Sequence, residues 1–141
     1  MNDPHLPDKT KHYLTGKTDV LSLDYNVAAA LCYVPIPPIN LLACIIWMLT
    51  EAKENKFLRF HAIQGLGLLG ILIAGNVLVW IIGMLAFIPV IGGLFALLGG
   101  IAWFLIAAVW FGLSILLALK AKERELFKLP VIGDLADQYS N

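Results

Sequence analysis

The side chains able to do chemistry in an apolar setting are few here. Apart from indoles, His61, Gln64, Asn76 and Ser114 are the polar groups in an otherwise uncharged run from Phe60 to Leu119. His61 is the ionisable one. An imidazole can serve as an axial ligand to haem or chlorophyll, or hydrogen-bond a helix end, a headgroup or a neighbouring loop. Gln64 lies three residues on, on the same helical face. Asn76, near mid-run, carries an amide that costs free energy in hydrocarbon unless paired, which predicts an interhelical hydrogen bond. The sequence shows no nucleophile beside a base, no paired carboxylates in the run and no phosphate-cradling glycine loop. With no charge in the run, neither an enzyme nor an ion-coupled transporter is expected.

Only the run itself can position these groups. A hydrocarbon core about 30 Å thick needs roughly 20 helical residues at about 1.5 Å each, so Phe60–Leu119 has room for two spans and a turn. A soluble domain of 141 residues has too much surface for its volume to hide every face of two such helices. Charged residues make up 14% of the chain, against about 25% in soluble domains. Net charge is +0, so no nucleic-acid partner is expected. The chain reads as an all-α integral membrane protein in contact with the lipid bilayer.

Three transmembrane helices are predicted, at about 26–49, 57–86 and 93–120. A polar N-terminal tail (1–25) precedes them and an interfacial C-terminal tail (121–141) follows. Pro35, Pro37 and Pro38 break the first span, because proline lacks an N–H and clashes with the preceding turn. Exposed backbone is costly in lipid, so the break must be buried in protein or reach water, with Asn40 placed to satisfy freed carbonyls. Its halves either stack as one broken span or fold back as a re-entrant hairpin. Pro89, Gly92 and Gly93 predict a turn between the later spans. The connector 50–59 alternates in sign and reads as a solvated loop, with Phe57 and Phe60 along the headgroup layer. Trp47 reads as an interface anchor, and Trp80, Trp103 and Trp110 as packing groups. Cys32 and Cys44 read as small buried apolar side chains. The first apolar run begins near Asn26, after mixed charges, which argues against a cleavable signal peptide.

Sidedness follows from the positive-inside rule. Lys53, Lys56 and Arg59 in the connector, with Lys120, Lys122, Arg124 and Lys128 after the last span, place both segments in the cytoplasm. The rule assigns no side to the N-terminus, where Lys9, Lys11 and Lys17 are balanced by aspartates.

Small residues recur at helical spacing. Ala96, Gly100, Ala108 and Gly112 share one row with Phe104 between them, and Gly67, Gly70 and Ala74 make a second face. In lipid such faces let backbones approach closely. They predict packing between spans of this chain, or against another membrane subunit or a second copy.

The run Ala28-Ala-Ala-Leu-Cys-Tyr33 with its prolines, the segment Arg59, Phe60, His61, Ala62, Gln64, and the closing Leu129-Pro-Val-Ile-Gly-Asp134 resemble a known family. It comprises small uncharacterised bacterial membrane proteins related to the chloroplast inner-envelope import component, the Tic translocon family. The resemblance covers about residues 26–137. It implies a helical protein of the bacterial plasma membrane, with oligomers or other subunits as partners and no catalytic residues. The expected function is a small accessory or assembly subunit of a larger membrane complex. The alternatives are a channel-like component of a Tic-like protein-translocation assembly and a haem or chlorophyll carrier through His61. No metal is expected, and no cofactor unless His61 ligates one.

Overall fold

A computed structural model describes residues 15–140, so Lys9, Lys11 and most of the N-terminal tail lie outside the described residues. The proline break decides how the chain enters its fold. Helix α1 (Tyr25–Leu31) gives way at Cys32. Helix α2 (Pro37–Thr50) begins with two prolines, whose missing N–H groups forfeit nothing in a first turn. Pro35 lies in the bend between them.

These two helices run antiparallel. Trp47 of α2 donates its indole N–H to the Ala28 carbonyl at 2.9 Å, and Asn40 donates its amide to the Cys32 carbonyl. Of the two arrangements the break permits, the chain adopts the fold-back, and α2 side chains cap carbonyls at the end of α1. Trp47 is thereby buried, not an interface anchor. With 14 residues, α2 is about 21 Å long, short of a hydrocarbon core about 30 Å thick. The segment 26–49 is therefore not one crossing helix.

Two helices are long and apolar enough to cross a membrane. Helix α3 (Lys56–Gly83) is capped by Asn55, whose side chain accepts from the Leu58 N–H at 3.2 Å. It runs into a 3₁₀ turn at Met84–Phe87 and a short loop. Helix α4 (Gly92–Lys122) returns alongside it. Gly92 sits so close to the Ala86 carbonyl that a Cβ would have no room, which explains a glycine at this turn. Helix α5 (Ile132–Tyr139) then lies antiparallel against α3, with Ile132 over Gly67 and Asp137 paired to Lys56 at 2.8 Å.

The result is a hairpin with a packed head at one end. Ala28, Tyr33, Trp47, Phe57, Leu58, Phe60 and Leu117 are buried in the head. Beyond Leu69 on α3, and before Ser114 on α4, Gly92 is the sole buried residue of the two helices. Only 11% of the most apolar stretch of each helix is buried. Among the described residues the regular structure is all helical, joined by turns and loops, with one isolated bridge between Lys17 and Asp24.

The connector departs from its reading as a solvated loop. Glu51, Asn55, Lys56, Phe57 and Phe60 are buried, and Ala52, Lys53 and Glu54 stay exposed. Two partners make this tolerable: Glu51 accepts from the distant Asp19 N–H at 3.1 Å and from the Asn55 amide of the connector itself at 3.5 Å.

Candidate functional site

The polar groups of the head meet where three segments converge. Tyr33 comes from the bend after α1, His61 and Gln64 from the first turns of α3, and Phe127 and Leu129 from the extended chain between α4 and α5. Gln64 donates Nε2 to the Phe127 carbonyl at 2.9 Å and accepts from the Leu129 N–H at 3.1 Å. A carbonyl on one side and an N–H on the other fix which end of the amide is which.

That orientation propagates. The second Nε2 hydrogen of Gln64 goes to the Tyr33 hydroxyl at 3.1 Å. Gln64 and His61 are the hydroxyl's partners among the described residues, and Gln64 already donates, so His61 Nδ1 at 3.0 Å is the acceptor left for the hydroxyl's own proton. His61 is thus an acceptor at Nδ1 and carries its hydrogen on Nε2. No hydrogen bond of good geometry reaches Nε2 among the described residues, although the Glu125 backbone lies beside the ring, and His61 is 1% exposed. The rings of Tyr33, Phe57 and Phe60 meet the imidazole edge to face at centroid distances of 5.6, 4.7 and 5.3 Å. This enclosure offers no open face for a flat macrocycle, so the axial-ligand reading of His61 finds no support. What the arrangement does is tie three segments together through one amide.

A charged clamp lies beside it. Asp137 pairs with Lys56 through Oδ1 at 2.8 Å and with Lys128 through Oδ2 at 2.7 Å. The hydrogen bond from Lys128, then that from Lys56, holds the Asp137 carboxyl below its ordinary value. Arg59 is half-buried, and its Nε lacks a hydrogen-bond partner among the described residues. No group of His, Cys, Asp and Glu among the described residues is arranged to hold a metal ion.

Other residues singled out from the sequence lie elsewhere. Asn76 donates to the Leu72 carbonyl of its own helix at 2.8 Å, so the expected interhelical bond is not made; a carbonyl one turn back satisfies the amide locally. Gly70, Gly100 and Gly112 have nothing within 4 Å of where a Cβ would stand, and Ala74, Ala96 and Ala108 are exposed. Apart from Gly67, which packs under Ile132 of α5, these small faces point outward, and they do not join α3 to α4. A closer approach occurs at Gly75 against Ile106. Trp80 and Trp103 also face outward, so they are not packing groups within the chain.

Sequence reasoning passed over Tyr33 as a site residue, along with Gly65 and Gly133. A Cβ at Gly65 would stand 2.6 Å from the Cys32 carbonyl oxygen, and one at Gly133 2.7 Å from Lys128 Cα and 2.9 Å from Gln64 Oε1. Gly133 lies in the Leu129–Asp134 segment already picked out by motif, which was the available signal.

A buried polar knot holding a fold-back hairpin against two long, apolar, mostly uncovered helices defines a helical membrane protein. The chain belongs to the MamF/MmsF family, described as the magnetosome magnetite crystal formation protein family, which matches residues 24–136. It is 40% identical over 129 residues to the UPF0132 membrane protein MJ1443 of Methanocaldococcus jannaschii, covering 89% of this chain and 96% of the relative. A UPF0132 membrane protein of Archaeoglobus fulgidus is 38% identical over 114 residues, covering 80% of this chain and 92% of the relative. No solved structure matches. These findings correct the resemblance drawn from the sequence: the family is MamF/MmsF, not a Tic-related one, and these relatives are archaeal, not bacterial.

Proposed function

We propose that the protein is a non-catalytic accessory or assembly subunit of a larger membrane complex. In this reading α3 and α4 cross the bilayer, while α1 and α2 dip in from the head side without crossing. The observation that carries the proposal is the contrast between head and hairpin. Polar groups of the head are turned inward and largely satisfied, whereas the small-residue rows of the hairpin face out beyond Gly67, which Ile132 covers, and Gly70, Gly100 and Gly112 have nothing of this chain against them. From Leu68 to Phe87, α3 and the 3₁₀ turn that continues it rise about 30 Å, close to one hydrocarbon core. The head then sits at one membrane face, and its Lys53, Arg59, Lys122 and Arg124 favour the cytoplasmic one.

The family's description names magnetite crystal formation, whereas the archaeal relatives matched over most of their length are named only as membrane proteins, which favours a role in membrane assembly over one in mineral formation. Purification in a gentle detergent, followed by native mass measurement, tests the proposal. An assembly heavier than one 15.5 kDa chain is expected. A stable single copy carrying no other polypeptide would sink it.

A further inference from the structure

One turn occurs twice in the chain. Ile88-Pro-Val-Ile-Gly92 closes the far end of the hairpin, and Leu129-Pro-Val-Ile-Gly133 leads into α5 in the head. The geometry matches as well as the sequence. In each turn the glycine N–H donates to the carbonyl four residues back at 2.8 Å, Gly92 to Ile88 and Gly133 to Leu129. In each the glycine leaves no room for a Cβ. In each the valine is left-handed, with φ 75° at Val90 and 67° at Val131. We infer that the two turns are a matched pair of membrane anchors, one at each face of the bilayer. Their partner is the boundary between lipid headgroups and acyl chains.

Strain and exposure together point outside the chain. A β-branched residue is an outlier in the left-handed region, which glycine and asparagine occupy readily. Internal packing accounts for neither valine, since Val90 is 104% exposed and Val131 72%. The phenylalanine that precedes each turn is exposed as well, Phe87 at 89% and Phe127 at 40%. In water such apolar groups are a cost, whereas at the headgroup–acyl boundary they enter the acyl layer. The backbone suits that layer. Pro89 and Pro130 carry no N–H and the closing glycine N–H is bonded, which leaves few donors where water is scarce.

Spacing separates a lipid boundary from a protein partner. Ile132 of the second turn rests on Gly67, so Val131 stands level with that part of α3. From Gly67 to Phe87, α3 and its 3₁₀ continuation rise about 32 Å. A hydrocarbon core is about 30 Å thick. The stretch between the two turns is also the one left uncovered: past Leu69 on α3, and before Ser114 on α4, only Gly92 is buried. A protein partner imposes no such distance; a bilayer does. The inference rests on the reading of α3 and α4 as crossing helices.

Nitroxide labels on the full-length protein in phosphatidylcholine vesicles test it. They are placed singly at Val90→Cys, at Val131→Cys and, midway between the two levels, at the exposed Leu78→Cys. Cys32 and Cys44 are wholly buried, so the unsubstituted protein serves as the blank. Depth is read from collisions with oxygen, which concentrates in the bilayer interior, against collisions with a water-soluble nickel chelate. The Leu78 label should lie at the midplane, and both valine labels should read about 15 Å from it, half a core. A Leu78 label outside the hydrocarbon overturns the crossing reading and the anchors with it. A Leu78 label at the midplane, with either valine label in open water or deep in the hydrocarbon, keeps the crossing and overturns the anchors. So does a valine label shielded from both probes, which would put a protein surface over the turn.

Discussion

Gln64 on the first long helix and Phe127 near the end of the chain meet through a 2.9 Å hydrogen bond across 63 positions of sequence. With the return bond from the Leu129 N–H, this pair decides where the C-terminal segment lies. Replacing Gln64 by Leu keeps the volume but strands a carbonyl and an N–H in a dry site. Each such group costs about 1–3 kcal/mol. The expected result is a loss of several kcal/mol, read as a lower unfolding temperature in detergent and as faster proteolysis between Glu123 and Val131.

The direction of the Tyr33–His61 bond makes a sharper claim. Nitrogen-15 spectra of labelled histidine should show His61 neutral with its hydrogen on Nε2. Tyr33→Phe removes the hydroxyl that links Gln64 to His61, at an expected cost of about 1–2 kcal/mol. The double variant Tyr33→Phe/His61→Phe should lose less than the two single losses added, because the second change removes a group already unpaired. Strict additivity would show that the two side chains are not coupled.

Glycines give a paired test. At Gly65 a methyl group would press on the Cys32 carbonyl and on Cys44 Sγ at 2.9 Å, so Gly65→Ala should destabilise the head by about 1–3 kcal/mol. Gly70→Ala meets nothing within 4 Å and should be neutral or stabilising by up to about 1 kcal/mol through helix propensity. Thermal unfolding of both variants in one detergent decides. Equal losses at the two sites would contradict the described packing.

The Asp137 clamp sets a pH dependence. Its carboxyl is held below its ordinary value by Lys128 and Lys56, so the clamp contributes fully above the unfolded carboxylate range. That contribution fades as pH falls through the depressed value. Asp137 is partly exposed, so the effect is at most about 1 kcal/mol. Protection of the α5 amides, taken relative to their intrinsic exchange rates, should therefore fall on acidification in the wild type, and much less so in Asp137→Asn.

Much of the hairpin was legible because hydrocarbon imposes a length and forbids charge, and Phe60–Leu119 meets both demands. The proline break was legible for the same local reasons. The fold-back was not chosen by the sequence reading, since it depends on Trp47 finding Ala28 across 19 positions. Burial of Glu51 was hidden because its partner Asp19 lies 32 residues away, and alternating charges look alike whether solvated or satisfied. Rotation of the two long helices could not be read either. Both are apolar all round, so no polar face tells which side turns inward, and the rows at Gly70 and Gly100 could only be assigned once packing was seen. In the polar knot, His61 and Gln64 were visible as the rare polar groups of an apolar run. Tyr33 was seen only as the end of the Ala28–Tyr33 run and not as a polar partner, and the Phe127 carbonyl not at all, because a backbone oxygen carries no pattern.

The dependence of Gln64 on residues 127–129 also orders events in time. During synthesis both long helices leave the ribosome before those residues do, so the hairpin can enter the bilayer while Gln64, Tyr33 and the α1–α2 turn still lack their last partner. Insertion and completion are then separate steps, and the second waits until residues 127–129 have emerged. A message truncated after Lys122 would yield a protein that crosses the membrane normally yet stays open at its head, presenting to quality-control proteases the polar knot that the finished chain conceals.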